Sequence, residues 1–254
     1  MSGRLLIWFC WLSIFLLKLP VSAQIDLRFF QLTTAEGLSE SNNSYLSADR
    51  NGYMWIGGFD GYNRYDGKTV QIFRPELPDG SRASNVSGKI FNDSKQNIWF
   101  SSNGGVHSLS NWTGNILSFS LTGKSDYHHL FHLDREDRIW VVAGGKLHVY
   151  DTKNKTDSIL HELSGYSCSP LLGPNGEVKG AVNTLIQYGG IEVFQYQGSD
   201  VLHTTYFTGQ QDAAGPKATI LFVYPEGDSV LWLPSNIGLI RLSLPDRQFQ
   251  IFNP

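Results

Sequence analysis

Cysteine is nearly missing from this chain: Cys10 and Cys168 are the two copies in 254 residues. Cys10 lies in a leader-like N-terminus, so export would leave one thiol and no internal disulfide, and the fold must be held by packing. Cys168 is therefore expected to be a small buried apolar side chain and not a reactive nucleophile. Charge is also sparse. Charged residues make up 17% of the sequence, 20 basic against 23 acidic, which leaves no basic field for a phosphate backbone and argues against a nucleic-acid partner. Beyond residue 23 no apolar run is long enough to cross a bilayer, and no Gly-rich ATP-binding segment or phosphoacceptor helix is found.

Residues 1–23 read as a signal peptide. Arg4 supplies the positive region, "LLIWFCWLSIFLL" the apolar core, and "VSA" before Gln24 the small residues of a cleavage site. Lys18 ends the apolar run short of the roughly 20 residues that a membrane span needs. Cleavage removes Arg4, Lys18 and no acid, so the formal charge of −3 becomes −5. The mature chain is expected to be exported, without membrane contact.

What the chain does hold is glycine and aromatic residues: 26 Gly, 15 Phe, 11 Tyr and 7 Trp, with 41% hydrophobic residues overall. That is enough for one core, and it favours short strands and tight turns, an all-β domain over residues 24–254. "DRNGYMWIGGFDGYNRYDG" from Asp49, "DSKQNIWFSSNGGVHSL" from Asp93 and "DREDRIWVVAGGKLHVYD" from Asp134 share one order: Asp, a polar turn, a hydrophobic residue, Trp, glycine, then alternation. "PEGDSVLWLPSNIGLIRL" from Pro225 keeps the Trp and Gly without the Asp. Trp55, Trp99, Trp140 and Trp232 are separated by 44, 41 and 92 residues. The last interval holds two periods, with a degenerate copy, "LLGPNGEVKGAVNTLIQYGGIEVFQY", placing Lys179 where Trp would fall. Five units follow, centred on Trp55, Trp99, Trp140, Lys179 and Trp232.

Each unit resolves into four strand-like pieces. An Asx side chain can bond a backbone N–H two residues on, so the Asp predicts a hairpin turn between the first and second pieces. The Trp segments are continuous apolar runs, which places both of their faces inside and makes the indoles core between stacked sheets, not sugar platforms. Four-stranded units of this period, each covering its neighbour, are the blades of a β-propeller. No Trp-Asp dipeptide occurs, and the Trp precedes the Gly pairs instead of following them as in kelch repeats.

"DRNGYMWIGGFDGYNRYDG" resembles the two-component regulator propeller repeat, with Asp49, Gly52, Trp55, Gly57, Gly61 and Tyr65 in register, and "FFQLTTAEGLSESN" is similar to that family's opening segment. The resemblance covers 24–254, strongly in the first three units. It implies the periplasmic sensor region of hybrid two-component histidine kinases of Bacteroidetes-like bacteria. With that come a glycan-derived ligand, no cofactor, no catalysis by this region, a dimer in the full receptor, and further blades or a second propeller beside it. A protein-interaction scaffold and a secreted lyase or hydrolase are the alternatives.

Pieces like a fourth strand recur near Phe73, Phe119, Ile159, Phe207 and Phe252, and "FFQL" near Phe29 is a sixth without its own unit. Propellers close by giving the last blade an N-terminal strand, so its partner is expected beyond Pro254, in a ring of seven blades as the resemblance implies.

Candidate chemistry is thin. His128 and His132 in "HHLFHLD" have a helical metal-pair spacing but fall on a strand, about 13 Å apart, so no metal is expected. Glu36, Glu40, Asp60 and Asp66 could form a carboxylate pair for glycoside cleavage, but are read as turn acids. A ligand is expected on the face built by the loops between second and third strands and between blades, where Phe59, Asp60, Asn103, Ser235 and Asn236 offer an aromatic plane and polar groups for a polyol.

Overall fold

The computed structural model describes residues 29–111, 113–122, 126–165, 168–185, 189–197, 200–209 and 214–253, the side chains of 44 and 85–88 excepted. The expected signal peptide lies outside the described residues. No helix among them is long and apolar enough to cross a membrane. The chain divides into two units at Leu32. In the first, Phe29 to Leu32, the "FFQL" piece without a unit of its own, form no strand, and Phe29 and Phe30 are 88% and 94% exposed. A strand exists only by pairing, and this segment has no pairing partner among the described residues.

Among the described residues the second unit holds twenty strands in five antiparallel sheets of four, each with its strands in sequence order. The first sheet comprises β1 (Asn43–Ala48), β2 (Met54–Gly58), β3 (Gly61–Tyr65) and β4 (Val70–Phe73). The second holds β5 (Ser84–Asn92), β6 (Ile98–Asn103), β7 (Gly105–Leu109) and β8 (Ile116–Phe119), and the third β9 (His128–Leu133), β10 (Arg138–Ala143), β11 (Lys146–Asp151) and β12 (Thr156–Glu162). The fourth is β13 (Cys168–Leu172), β14 (Val178–Thr184), β15 (Ile191–Gln197) and β16 (Asp200–Tyr206), and the fifth β17 (Tyr224–Glu226), β18 (Val230–Ser235), β19 (Gly238–Ser243) and β20 (Gln248–Phe252). Trp55, Trp99, Trp140, Lys179 and Trp232 each lie on a second strand, as the period predicts. First strands pack in succession, β1 on β5, β5 on β9, β9 on β13 and β13 on β17, so they form the inner wall. The fold is a β-propeller.

Each apolar core fills the gap between two consecutive sheets. Trp55, Tyr62 and Phe73 meet Ile98 and Phe100. Trp99 and Val106 meet Ile139 and Val141. Trp140 and Val142 meet Cys168 and Ala181, and Val182 and Val193 meet Leu231 and Ile240. Each indole thus points at the following sheet. Trp232 departs from the expected burial and is only half-buried. The reason is positional: among the described residues no sheet follows the fifth, and the same face exposes Tyr224 at 58% and Phe252 at 40%. Cys168 is buried, and desolvation, with the nearby Glu192 carboxylate, pushes its thiol pKa up, which makes it unreactive.

Candidate functional site

The repeat turn is built by one carboxylate with two tasks. Asp49 Oδ1 accepts the N–H groups of Asn51 and Tyr53, Asp93 Oδ1 those of Lys95 and Asn97, and Asp134 Oδ1 those of Glu136 and Arg138. The other oxygen accepts the indole N–H of Trp55, Trp99 or Trp140 at 2.8, 3.0 and 3.1 Å. In the fifth sheet Glu226 supplies the missing acid, its Oε2 accepting from Trp232 at 2.8 Å. In the fourth sheet Gly173 stands at the Asp position, and the Glu177 carboxylate occupies the vacant space, accepting Asn175 N–H and pairing with Lys179. These acids and indoles are scaffold.

The repeat glycines serve the scaffold as well. A Cβ on Gly61, whose φ is +115°, would meet the carbonyl oxygen of Phe73 at 2.4 Å, and one on Gly238, also at +115°, that of Phe252 at 2.6 Å. The start of the third strand therefore presses on the end of the fourth, a contact that only glycine allows.

The five predicted ligand residues fall in three turns of three sheets. Phe59 and Asp60 form the β2–β3 turn, where Phe59 is exposed. Arg74 grips the Asp60 carboxylate at 2.6 to 3.1 Å and Arg82 lies at 3.7 Å, and the Arg74 contact holds the Asp60 pKa below its ordinary value. Ser235 and Asn236 form the β18–β19 turn. Ser235 Oγ donates to Gly238 O at 2.6 Å and accepts Ile237 N–H, while Asn236 Oδ1 accepts Thr219 N–H at 2.8 Å. Asn103 ends β6 and bridges to Tyr127, with its buried Oδ1 unpartnered. Tyr127 lines a cavity of about 420 Å³ on this face with Asp126, Leu163 and Ser164. Of the five, Asn103 is the residue that the structure brings beside this cavity, through its bridge to Tyr127.

The carboxylates weighed for hydrolysis are committed locally. Glu36 bonds Thr33 Oγ1 and N–H, which lowers its pKa; Glu40 accepts Asp60 N–H at 2.7 Å. Asp66 caps its own turn through Thr69 and Lys68 N–H, holding its pKa down at about 2. A general acid for glycosides needs the opposite shift. Both ring nitrogens of His128 are used: Nε2 accepts Leu121 N–H at 3.2 Å, so Nδ1 carries the proton given to Asp126 O at 2.8 Å. Among the described residues no group of three His, Cys, Asp or Glu is placed to hold a metal ion.

No family model matches the chain. Over 56 residues, 22% of its length, it is 36% identical to histidine kinase P4 of Formosa agariphila, of which it covers 4%. Its fold is similar to the extracellular domain of a one-component system from B. thetaiotaomicron, with a TM-score of 0.63 and 18% identity, covering 88% of this chain and 33% of that one. It is equally similar to the extracellular domain of a hybrid two-component system from the same organism, with a TM-score of 0.61, 15% identity, and coverage of 87% and 31%. Virginiamycin B lyase from Staphylococcus aureus shares the fold at a TM-score of 0.60 and 15% identity, covering 84% and 70%. The chain thus spans about a third of the sensor domains it resembles. The β-propeller expected from the tryptophan repeat is thus the fold that these extracellular domains and the lyase share.

Proposed function

We propose that the chain is the ligand-receiving propeller region of a periplasmic two-component receptor, binding a glycan-derived ligand and performing no chemistry itself. The observation that carries this reading is the fold shared with extracellular sensor domains, joined to the short stretch that matches a histidine kinase. The settled state of Glu36, Asp60 and Asp66 supports a non-catalytic role, since each is held in its ionised form by a local partner. In the full receptor the exposed faces of the first and fifth sheets are covered by further blades or a second propeller, and the receptor is a dimer. A scaffold that binds another protein is the second reading, favoured by Tyr224 and Phe252, which leave apolar surface uncovered on the fifth sheet.

Calorimetric titration of the purified chain with neutral and acidic oligosaccharides tests the sensor reading. Heat with one class of sugar, and no release of cleaved product, is expected. Silence across the whole panel from a folded protein overturns the glycan ligand, and time-dependent sugar cleavage overturns the non-catalytic role. Asp60→Asn and Asn103→Ala, read in the same titration, tell whether the predicted loop residues touch the ligand.

A further inference from the structure

Each fourth strand is the outer edge of its sheet, and the edge of the second sheet borders a groove. β8 pairs with β7 on one side, and the backbone groups of its other side have no strand partner among the described residues. Its sequence, "ILSF", carries no proline or lysine of the kind that blunts an open edge. Between β8 and the third sheet lies a cavity of about 410 Å³, a volume within the range of ligand pockets.

The floor of this groove is apolar and open to water. Leu117 and Phe119 enter it from the same face of β8, two residues apart. Leu117 is 70% exposed, and Phe119 and Tyr150 are half-buried. The Phe119 ring lies 4.6 Å from that of Tyr150 on the third sheet and 6.3 Å from that of Trp99 on its own. Phe119 and Tyr150 thus form one aromatic surface that spans two sheets.

The banks are basic. Lys95 stands in the turn between β5 and β6, Lys153 and Lys155 in the turn between β11 and β12, and all three are exposed. One carboxylate ties the two turns together: Asp137 accepts Ser94 N–H, next to Lys95, at 2.8 Å and lies 3.5 Å from Lys153 Nζ. The two acids in the lining are committed to internal donors. Asp137 also accepts Ser94 Oγ–H, and Asp93 accepts two backbone N–H groups, the Asn97 amide and the Trp99 indole. The ammonium groups of Lys95 and Lys155 have no ion pair or hydrogen bond among the described residues. In a chain with more acids than bases, this groove is therefore an attractor for anions.

An inorganic anion would meet the lysines and leave the aromatic floor wet, and a neutral apolar ligand would do the reverse. A small aromatic acid would use both but not the strand edge. A peptide with acidic residues around one aromatic side chain uses all three. We propose that the groove docks an extended acidic segment of a partner protein. The segment adds to the free edge of β8, seats one aromatic side chain on Leu117, Phe119 and Tyr150, and sets carboxylates on Lys95, Lys153 and Lys155. Main-chain bonds supply affinity and the side-chain seats supply specificity. No sugar enters the argument, so the proposal stands apart from the sensor reading.

Fluorescence polarisation of the full chain with a labelled, capped peptide, phenylalanine at its centre and glutamates on either side, tests this. Further peptides carry lysines for the glutamates, alanine for the phenylalanine, or N-methyl groups on every other backbone amide in either phase. The parent peptide should bind, and more weakly as salt is raised. The lysine and alanine peptides should bind about tenfold more weakly or worse. Of the two N-methylated forms, the one whose blocked amides face β8 should lose binding and the other should keep it. In the protein, Lys95→Glu combined with Lys155→Glu should weaken binding about tenfold or more, since attraction becomes repulsion. Both side chains are exposed and unbonded, so the urea midpoint should match that of the native protein, which separates lost binding from misfolding. Equal binding of the glutamate and lysine peptides, or indifference to the paired charge reversal, overturns the proposal. Displacement by phenylacetate, with both N-methylated forms binding like the parent, makes the groove a site for a small aromatic acid and overturns the peptide. No binding by any peptide overturns the docking surface and leaves the sensor reading untouched.

Discussion

The carboxylate of Asp134 holds the indole N–H of Trp140 at 3.1 Å with one oxygen while the other closes the turn between them. Local turn and inter-sheet core are thereby joined in one contact six residues long. Trp140→Ala should cost about 3–5 kcal/mol through the cavity it leaves beside Val142 and Ala181. Trp140→Phe keeps a ring in that core and gives up the bond, so about 1–2 kcal/mol is expected. Urea denaturation of the two variants separates packing from hydrogen bonding. Equal losses would mean that the indole N–H, not burial, anchors the sheet.

The same pair recurs in the fifth sheet with a different balance. Glu226 replaces the Asp, and Trp232 is half-buried, with no sheet beyond it in the described residues. Trp232→Ala should therefore cost about 1–2 kcal/mol, well below the loss at Trp140, because less area leaves water on folding. Comparison of urea midpoints for the two alanine variants checks this. If the Trp232 loss matched that at Trp140, this face would have to be covered in solution.

These contrasts show what the sequence could and could not disclose. Period and turn chemistry located all five second strands, including the one where Lys179 replaces Trp, because both signals are local. Glu226 stands in the register of the repeat Asp, six residues before Trp232, one methylene longer, so a search for Asp passed over it, whereas Glu177 fills the space beside Gly173 from another position, by a reach that depends on rotamer and not on register. Half-burial of Trp232 needed the count of sheets on either side. The cavity between Arg50, Asn92, Arg135 and Gly176 draws its lining from four repeats, so no one motif contains it. A signal did exist: Arg50, Ser94 and Arg135 each follow the repeat Asp directly, and aligning the units at that position would have brought them to one mouth.

Glycine substitutions distinguish two kinds of constraint in the repeat. Gly52 has φ +85° with open space around it, so Gly52→Ala should cost about 1 kcal/mol from backbone strain alone. Gly61 adds a collision of its Cβ with Phe73 O, a backbone atom that cannot swing away. Gly61→Ala should then cost about 3 kcal/mol or more and detach the β4 edge of the first sheet, visible as faster amide exchange at Phe73. Equal effects of the two substitutions would show that the close approach is not maintained in solution.

Acid sensitivity should begin well above the carboxylate range. His107 is buried between Ser102 Oγ at 2.7 Å and Ser118 Oγ at 2.9 Å, and desolvation, with the neighbouring His128, lowers its pKa to about 3. Desolvation lowers that of His129 to about 4. An unfolded chain takes up these protons near the ordinary histidine value of 6.5. Between pH 6.5 and about 4 the unfolded state thus binds more protons than the fold, and stability falls as pH falls. Each of the two histidines should remove about 2 kcal/mol by pH 5, where most carboxylates are still ionised. His107→Gln keeps an amide that can bond both serines and has no proton to take up, so the slope of unfolding free energy against pH should shrink by about 1.4 kcal/mol per pH unit between pH 6 and 5. Urea titrations at pH 7, 6 and 5 measure it. An unchanged slope in the variant would mean that His107 already protonates in the folded state, and that its serine-lined pocket is open to water.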